Sequence, residues 1–154
     1  MIAFRVDGIP KAQPRVKARR IGLHAGVYDP GTADGWKALI ATAAMPHRPD
    51  VPWEGPLCVT IRFYLPRPKC LMRAKDPSGP IWHWKKPDRD NLEKAVLDTL
   101  KNLGFYRDDG QACAGAAEKY YCAKTGRPGA LVTIDQLPGV DLIGVTTRGN
   151  IKEA

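Results

Sequence analysis

Asp88 and Asp90 stand one residue apart where a helical pattern begins, in KKPDRDNLEKAVLDTL (residues 85–100). A second acidic pair, Asp108 and Asp109, follows that pattern in FYRDDGQ (105–111). Acid at a helix start is ordinary capping chemistry, because the first backbone N–H groups lack partners and the helix dipole favours negative charge there. Carboxylates drawn from a helix start and from a separate loop also suit Mg²⁺, a hard cation that binds few carboxylates and several waters. Spacing alone leaves both readings open: a metal site, or a capped helix followed by a solvated acidic turn.

The element that must position these acids is legible. At about 100° per residue, Leu92, Ala95, Val96, Thr99, Leu100 and Leu103 fall on one arc, the core face of a helix starting at Arg89. Asp90, Lys94, Asp98 and Lys101 fall on the opposite arc, each an i, i+3 or i, i+4 step from the next. Asp88 takes the N-cap position and Gly104 the C′ position. Leu97 also lies on the polar arc, which suggests cover from a second subunit.

Around this helix the chain alternates. Ile2, Phe4 and Val6 share one face of a first strand, and Val59, Ile61, Phe63 and Leu65 share one face of a central strand. Residues 32–45 read as a helix with Thr32 as N-cap and Trp36, Leu39, Ile40 and Ala43 as its apolar stripe. Pro46, Pro49 and Pro52 end it. A possible second strand lies near Ile21–Tyr28. AGAAEKYYCAK (114–124) reads as the hairpin partner of GALVTIDQL (129–137) across the turn TGRPG. The fold class is therefore mixed α/β or α+β, a single domain over residues 1–137 with one mixed sheet and two main helices. Residues 138–154 form a C-terminal tail with weak pattern.

Composition narrows the partners. Lys plus Arg number 24 against 16 Asp plus Glu, a net charge of +8 that favours a polyanion, nucleic acid ahead of membrane. Five cations, Lys11, Arg15, Lys17, Arg19 and Arg20, fall in the proline-punctuated loop after the first strand. Such a loop suits phosphate backbone, or serves as a solvated connector. Arg67, Lys69, Arg73 and Lys75 extend the basic surface, and Lys85 and Lys86 flank the first acidic pair. No apolar run is long enough to span a bilayer, and the N-terminus lacks a signal-peptide core. The four cysteines, at 58, 70, 113 and 122, have no CxxC or CxxH spacing, so reduced thiols in a cytoplasmic protein are expected.

KPDRDNLEKAVLDTLKNLGFYRDDGQ (86–111) resembles the signature of the RusA family of Holliday-junction resolvases. The shared features are a D-x-D-N-L-x-K helix start, a D-x-L before a glycine and a D-D-x-Q loop. IPKAQPR (9–15) looks like that family's basic loop. The resemblance implies a RusA-like fold and a homodimeric, Mg²⁺-dependent endonuclease, with Mn²⁺ able to substitute. It implies an enzyme, often of phage or prophage origin, that resolves four-way DNA junctions by paired nicks. By position, Asp88, Asp90 and Asp109 match the family's metal-binding catalytic acids and Lys94 its essential lysine. Asn91, Asp108 and Gln111 occupy supporting motif positions. Gly110, Ala112 and Cys113 depart from the pattern, which bears on the edge of the next strand.

His83 stands upstream of the motif as a candidate substrate contact or a roleless strand histidine. Trp82 and Trp84 suit base stacking at a junction or, more commonly, packing in a core or dimer interface. Two rival readings remain: a non-catalytic DNA-binding protein whose acids are caps and turns, and a metal-dependent nuclease of other branched DNA or RNA.

Overall fold

In the computed structural model, residues 1–28 and 31–138 are described, 17–21 and 24–28 by backbone alone. The tail beyond Pro138 lies outside the described residues, as do the side chains of Lys17, Arg19 and Arg20.

The described residues form seven strands. They are β1 (Ile2–Asp7), β2 (Lys17–Ile21), β3 (His24–Tyr28), β4 (Leu57–Leu65), β5 (Ile81–Trp82), β6 (Ala112–Tyr121) and β7 (Gly129–Gln136). The helices are α1 (Asp34–Ala44) and α2 (Arg89–Asn102). Five strands form a mixed sheet in the order β1-β7-β4-β6-β5, and β2 and β3 pair as a separate hairpin. The class is α+β, as the sequence predicts.

Both helices lie on one face of the sheet. There Val6, Val59, Ile61, Phe63, Val132 and Ile134 meet Trp36, Ile40 and Ala44 of α1 and Leu92, Val96 and Leu100 of α2 in one buried core. Each such aliphatic side chain contributes about 1.5–3 kcal/mol on burial. The opposite sheet face carries no helix among the described residues; Arg5, Thr60, Arg62, Leu131 and Thr133 line a shallow concavity there of about 480 Å³.

Three local expectations are corrected. Helix α1 is capped by Ala33 rather than Thr32, without a side-chain bond, and Leu39 is exposed. The buried stripe is Trp36, Ile40 and Ala44, a strict i, i+4, i+8 row. The hairpin reading of 114–137 also fails. Strand β6 pairs in parallel with β4, and β7 pairs antiparallel with the other side of β4. Residues 122–128 thus step over the end of β4 instead of folding back on β6. Cys122 N–H donates to Leu65 O at the start of that step.

The β4–α2–β6 unit fixes α2. Its last turn closes as the sequence predicts: Gly104 takes φ +82°, its N–H reaches Lys101 O, and Phe105 N–H reaches Leu100 O. That pair of bonds satisfies the last carbonyls of the helix.

Candidate metal and nucleic-acid site

Asp88 occupies the N-cap of α2 with extended backbone, and its carbonyl accepts the first helical bond from Leu92 N–H. Its carboxylate makes no capping bond. Asp90, in the first turn, is exposed, as is Asp88. Among the described residues neither carboxylate has a hydrogen bond or ion pair to protein. Capping chemistry therefore does not account for them.

The segment before them is pinned from the sheet. Lys119 of β6 donates from Nζ to Lys85 O at 2.7 Å and Pro87 O at 2.6 Å. Burial lowers the Lys119 pKa, an effect opposed by the nearby Asp88 carboxylate. Sequence reasoning missed Lys119, because a lysine in a strand pattern gives no local sign of partners more than thirty residues away.

The basic loop docks at the same end. Gln13 N–H donates to Asn91 O at 2.8 Å, so the first turn of α2 and the loop between β1 and β2 run side by side. Lys11 and Arg15 are exposed there, as are Lys85, Lys86 and Arg89. Cationic surface thus borders the free carboxylates, the arrangement a phosphate backbone requires.

Asp109 stands elsewhere. One oxygen, Oδ2, lies 3.0 Å from Lys101 Nζ in the last turn of α2. The other, Oδ1, is shielded from solvent without a hydrogen-bond partner. Lys101 has its pKa raised, first by the hydrogen bond to Asp109. A rise of ~1.5 Å per residue puts Asp98 roughly 12 Å and Lys101 roughly 16 Å beyond Asp90 along the helix. Consistent with this, no group of three or more His, Cys, Asp or Glu among the described residues is placed to hold a metal ion. The donors suit a hard cation in chemistry, but one chain does not bring all three predicted acids together.

The loop bearing Asp109 is built by its neighbours. Asp108 Oδ1 accepts from Gly110 N–H at 2.7 Å, and Gln111 Oε1 accepts from Arg107 and Asp108 N–H. Gln111 Nε2 donates to Trp53 O and Gly55 O. Asp108 and Gln111 therefore fold and anchor the turn. Tyr106 beneath it donates to Leu97 O, and burial, with Asp109 and Asp98 adding to it, raises the phenol pKa well above its usual range.

Lys94 points toward Asp98 at 3.6 Å rather than back to Asp90. The line Asp90, Lys94, Asp98, Lys101 is a charged stripe along one side of α2. Leu97, on that side, packs partly buried against the chain's own core, so it needs no second subunit to explain it.

His83 is 8% exposed, its ring 4.4 Å from that of Tyr121. Burial and then Lys119 lower its pKa, which favours the neutral imidazole. Arg67 is also spent internally: its guanidinium donates to Leu71 O, Gly79 O and Pro77 O, which organises the loop 68–80. Arg73 pairs with Asp76 at 3.3 Å and holds that carboxyl below its usual value. Lys69 and Lys75 remain exposed.

A basic α+β domain with free carboxylates beside a cationic loop belongs, by these features, with proteins that act on nucleic acid. Residues 7–135 match the sequence model described as Endodeoxyribonuclease RusA, and the chain belongs to that family, a family of endodeoxyribonucleases. It is also 34% identical over 127 residues to the uncharacterized protein YqaN of Bacillus subtilis (strain 168), covering 78% of this chain and 87% of that one. No helix among the described residues is long and apolar enough to cross a membrane.

Proposed function

We propose that this protein is a Mg²⁺-dependent, structure-specific endodeoxyribonuclease that resolves four-way DNA junctions by paired nicks, as a homodimer. The observation that carries the reading is the pair of unclaimed carboxylates, Asp88 and Asp90, at a helix start bordered by Lys11, Arg15, Lys85 and Lys86. They would hold Mg²⁺, with Mn²⁺ able to replace it. When bound, the metal supplies an acidified water and charge stabilisation at the phosphoryl oxygens.

The chain's own residues do the rest. Lys119 holds the 85–88 backbone in place through two carbonyls. Lys94 is 59% exposed, and such an ion pair contributes only ~0.3–0.5 kcal/mol, so its ammonium is readily redirected from Asp98 to a phosphate. Asp109 is the third acid. Its place beside the far half of α2 supports an arrangement in which a second copy, related by a two-fold axis, supplies it. Such symmetry also suits a substrate with two equivalent strands.

Cleavage of a synthetic four-way junction with and without Mg²⁺ tests the reading. Asp90→Asn should abolish cutting and leave junction binding intact. Undiminished cutting by Asp90→Asn would overturn it, as would loss of binding and folding together.

A further inference from the structure

Two of the four tryptophans lie on the surface. Trp82 is 64% and Trp84 81% exposed, whereas Trp36 is 2% exposed. Neither packs in the core, and each sits in a distinct setting.

Trp82, on the edge strand β5, stands in register with Tyr120 of β6, which stands in register with Tyr64 of β4. The rings stack in sequence, with centroids 4.5 Å apart for Trp82–Tyr120 and 5.8 Å for Tyr120–Tyr64. Next in that row is Gly129, where a Cβ would run into the Val6 carbonyl oxygen and meet Arg5 Nη2 at 3.2 Å. The Arg5 guanidinium lies over the Tyr64 ring, 5.8 Å from its centroid. The aromatic row thus ends in a cation on one side and in the exposed indole of Trp82 on the other.

Trp84 has the Lys85 ammonium 5.4 Å from its ring centroid. Four and six residues separate Trp84 and Trp82 from Asp88, at most about 14 Å and 22 Å of extended chain. The connecting run, IWHWKKP, contains two cations and no acid. Flat apolar rings interleaved with cations match a single strand of DNA, whose bases stack and whose phosphates need positive charge. A purely apolar partner would leave Lys85 and Lys86 unanswered, and a duplex hides its base faces.

We infer that Trp82 and Trp84 form a stacking platform for an unpaired DNA strand at the β5 edge of the sheet, a short run upstream of the Asp88–Asp90 site, with the Trp82 row on the sheet face opposite the helices. The inference rests on the nuclease reading for its ligand, but it concerns binding and needs no cleavage. The platform gives the protein a means of telling branched or opened DNA from plain duplex, because only unpaired bases can reach the indoles.

The test uses full-length Asp90→Asn protein without divalent metal, a short oligothymidine, and a duplex of equal length. Oligothymidine should quench the exposed tryptophan emission. Trp82→Ala and Trp84→Ala should each weaken its binding roughly five- to hundredfold. Duplex affinity should change less than about twofold, and the phenylalanine variants should recover most of the loss. Unchanged single-strand affinity in both alanine variants overturns the platform, as does an equal loss for duplex. A tryptophan emission that shifts with protein concentration alone also overturns it, by showing that a second copy covers the indoles. If the wild type cuts junctions with Mg²⁺ while the alanine variants bind normally, the platform alone fails. If tryptophan-dependent binding is seen but no metal-dependent cutting, the nuclease reading alone fails.

Discussion

The Lys119 ammonium lies 2.6 Å from the Pro87 carbonyl, so a strand on the far side of the β4–α2–β6 unit sets the backbone from which Asp88 projects. Lys119→Met removes both carbonyl bonds while keeping the length of the side chain. It should lower stability by about 1–3 kcal/mol, since two carbonyls lose their donor. It should also reduce metal-dependent cleavage at least tenfold at saturating DNA, with KM little changed. Lys119→Arg should recover part of the rate. Equal rates for Met and wild type would remove Lys119 from the site.

Splitting the acids between the two ends of α2 predicts complementation. Asp90→Asn and Asp109→Asn should each be inactive alone. Mixed and refolded together, they should form heterodimers containing one intact site, restoring roughly a quarter of wild-type nicking. A site formed within one chain would give no recovery, which a nicking assay on the mixture reads directly.

His83 predicts an acid-sensitive fold. Its folded pKa lies below the ordinary 6.5, so the unfolded chain binds a proton there more readily than the native one. Stability from this group is complete above 6.5 and declines as pH falls from neutral through that value toward the lower folded pKa. His83→Gln should flatten this limb of a Tm-against-pH curve between about pH 7 and 5. An unaltered slope would mean that other groups set it.

Charge at the α2 end should govern DNA affinity. The slope of log Kobs against log salt should fall by about one for each of Lys85→Gln and Lys86→Gln that loses a phosphate contact. Arg67→Gln should behave differently, loosening the 68–80 loop because its guanidinium already serves three carbonyls. Filter binding across a salt series, with limited proteolysis of the loop, separates the two effects.

Gly115 predicts a structural limit. It holds φ +127°, and a Cβ there would lie 1.8 Å from the Val59 carbonyl oxygen across the parallel β4–β6 pair. Because backbone must move, Gly115→Ala should cost more than about 4 kcal/mol. Denaturant melts would show it, and a loss under 1 kcal/mol would contradict the strand approach.

What the chain reveals before folding follows the range of its signals. Strands β1, β4 and β7 and helix α2 carry their period in consecutive side chains, and Gly104 marks the end of α2 in place. Asp88 was legible as an N-cap position, though whether its carboxylate would make the cap depended on surroundings. The partner of β6 was not legible, because AGAAEKYY alternates equally well beside β7 or β4 and the TGRPG turn favours the nearer choice. Contacts such as Lys119–Pro87, Lys101–Asp109 and Gln13–Asn91 depend on which strand lies next to which. They become readable only once the sheet order is known.

Strand β7 lies between β1 and β4, although it is the last of the described strands along the chain. The β4–α2–β6 unit, carrying every predicted acid, precedes β7 in the chain and so leaves the ribosome before it. Until residue 136 arrives, β1 has no neighbour in the sheet and β4 exposes a row of unpaired backbone groups. A chain cut or stopped between Cys122 and Gly129 would carry all the acids on an unfinished sheet. Such a fragment should pair edge to edge with its own kind, making the final strand a late checkpoint on assembly of the nuclease.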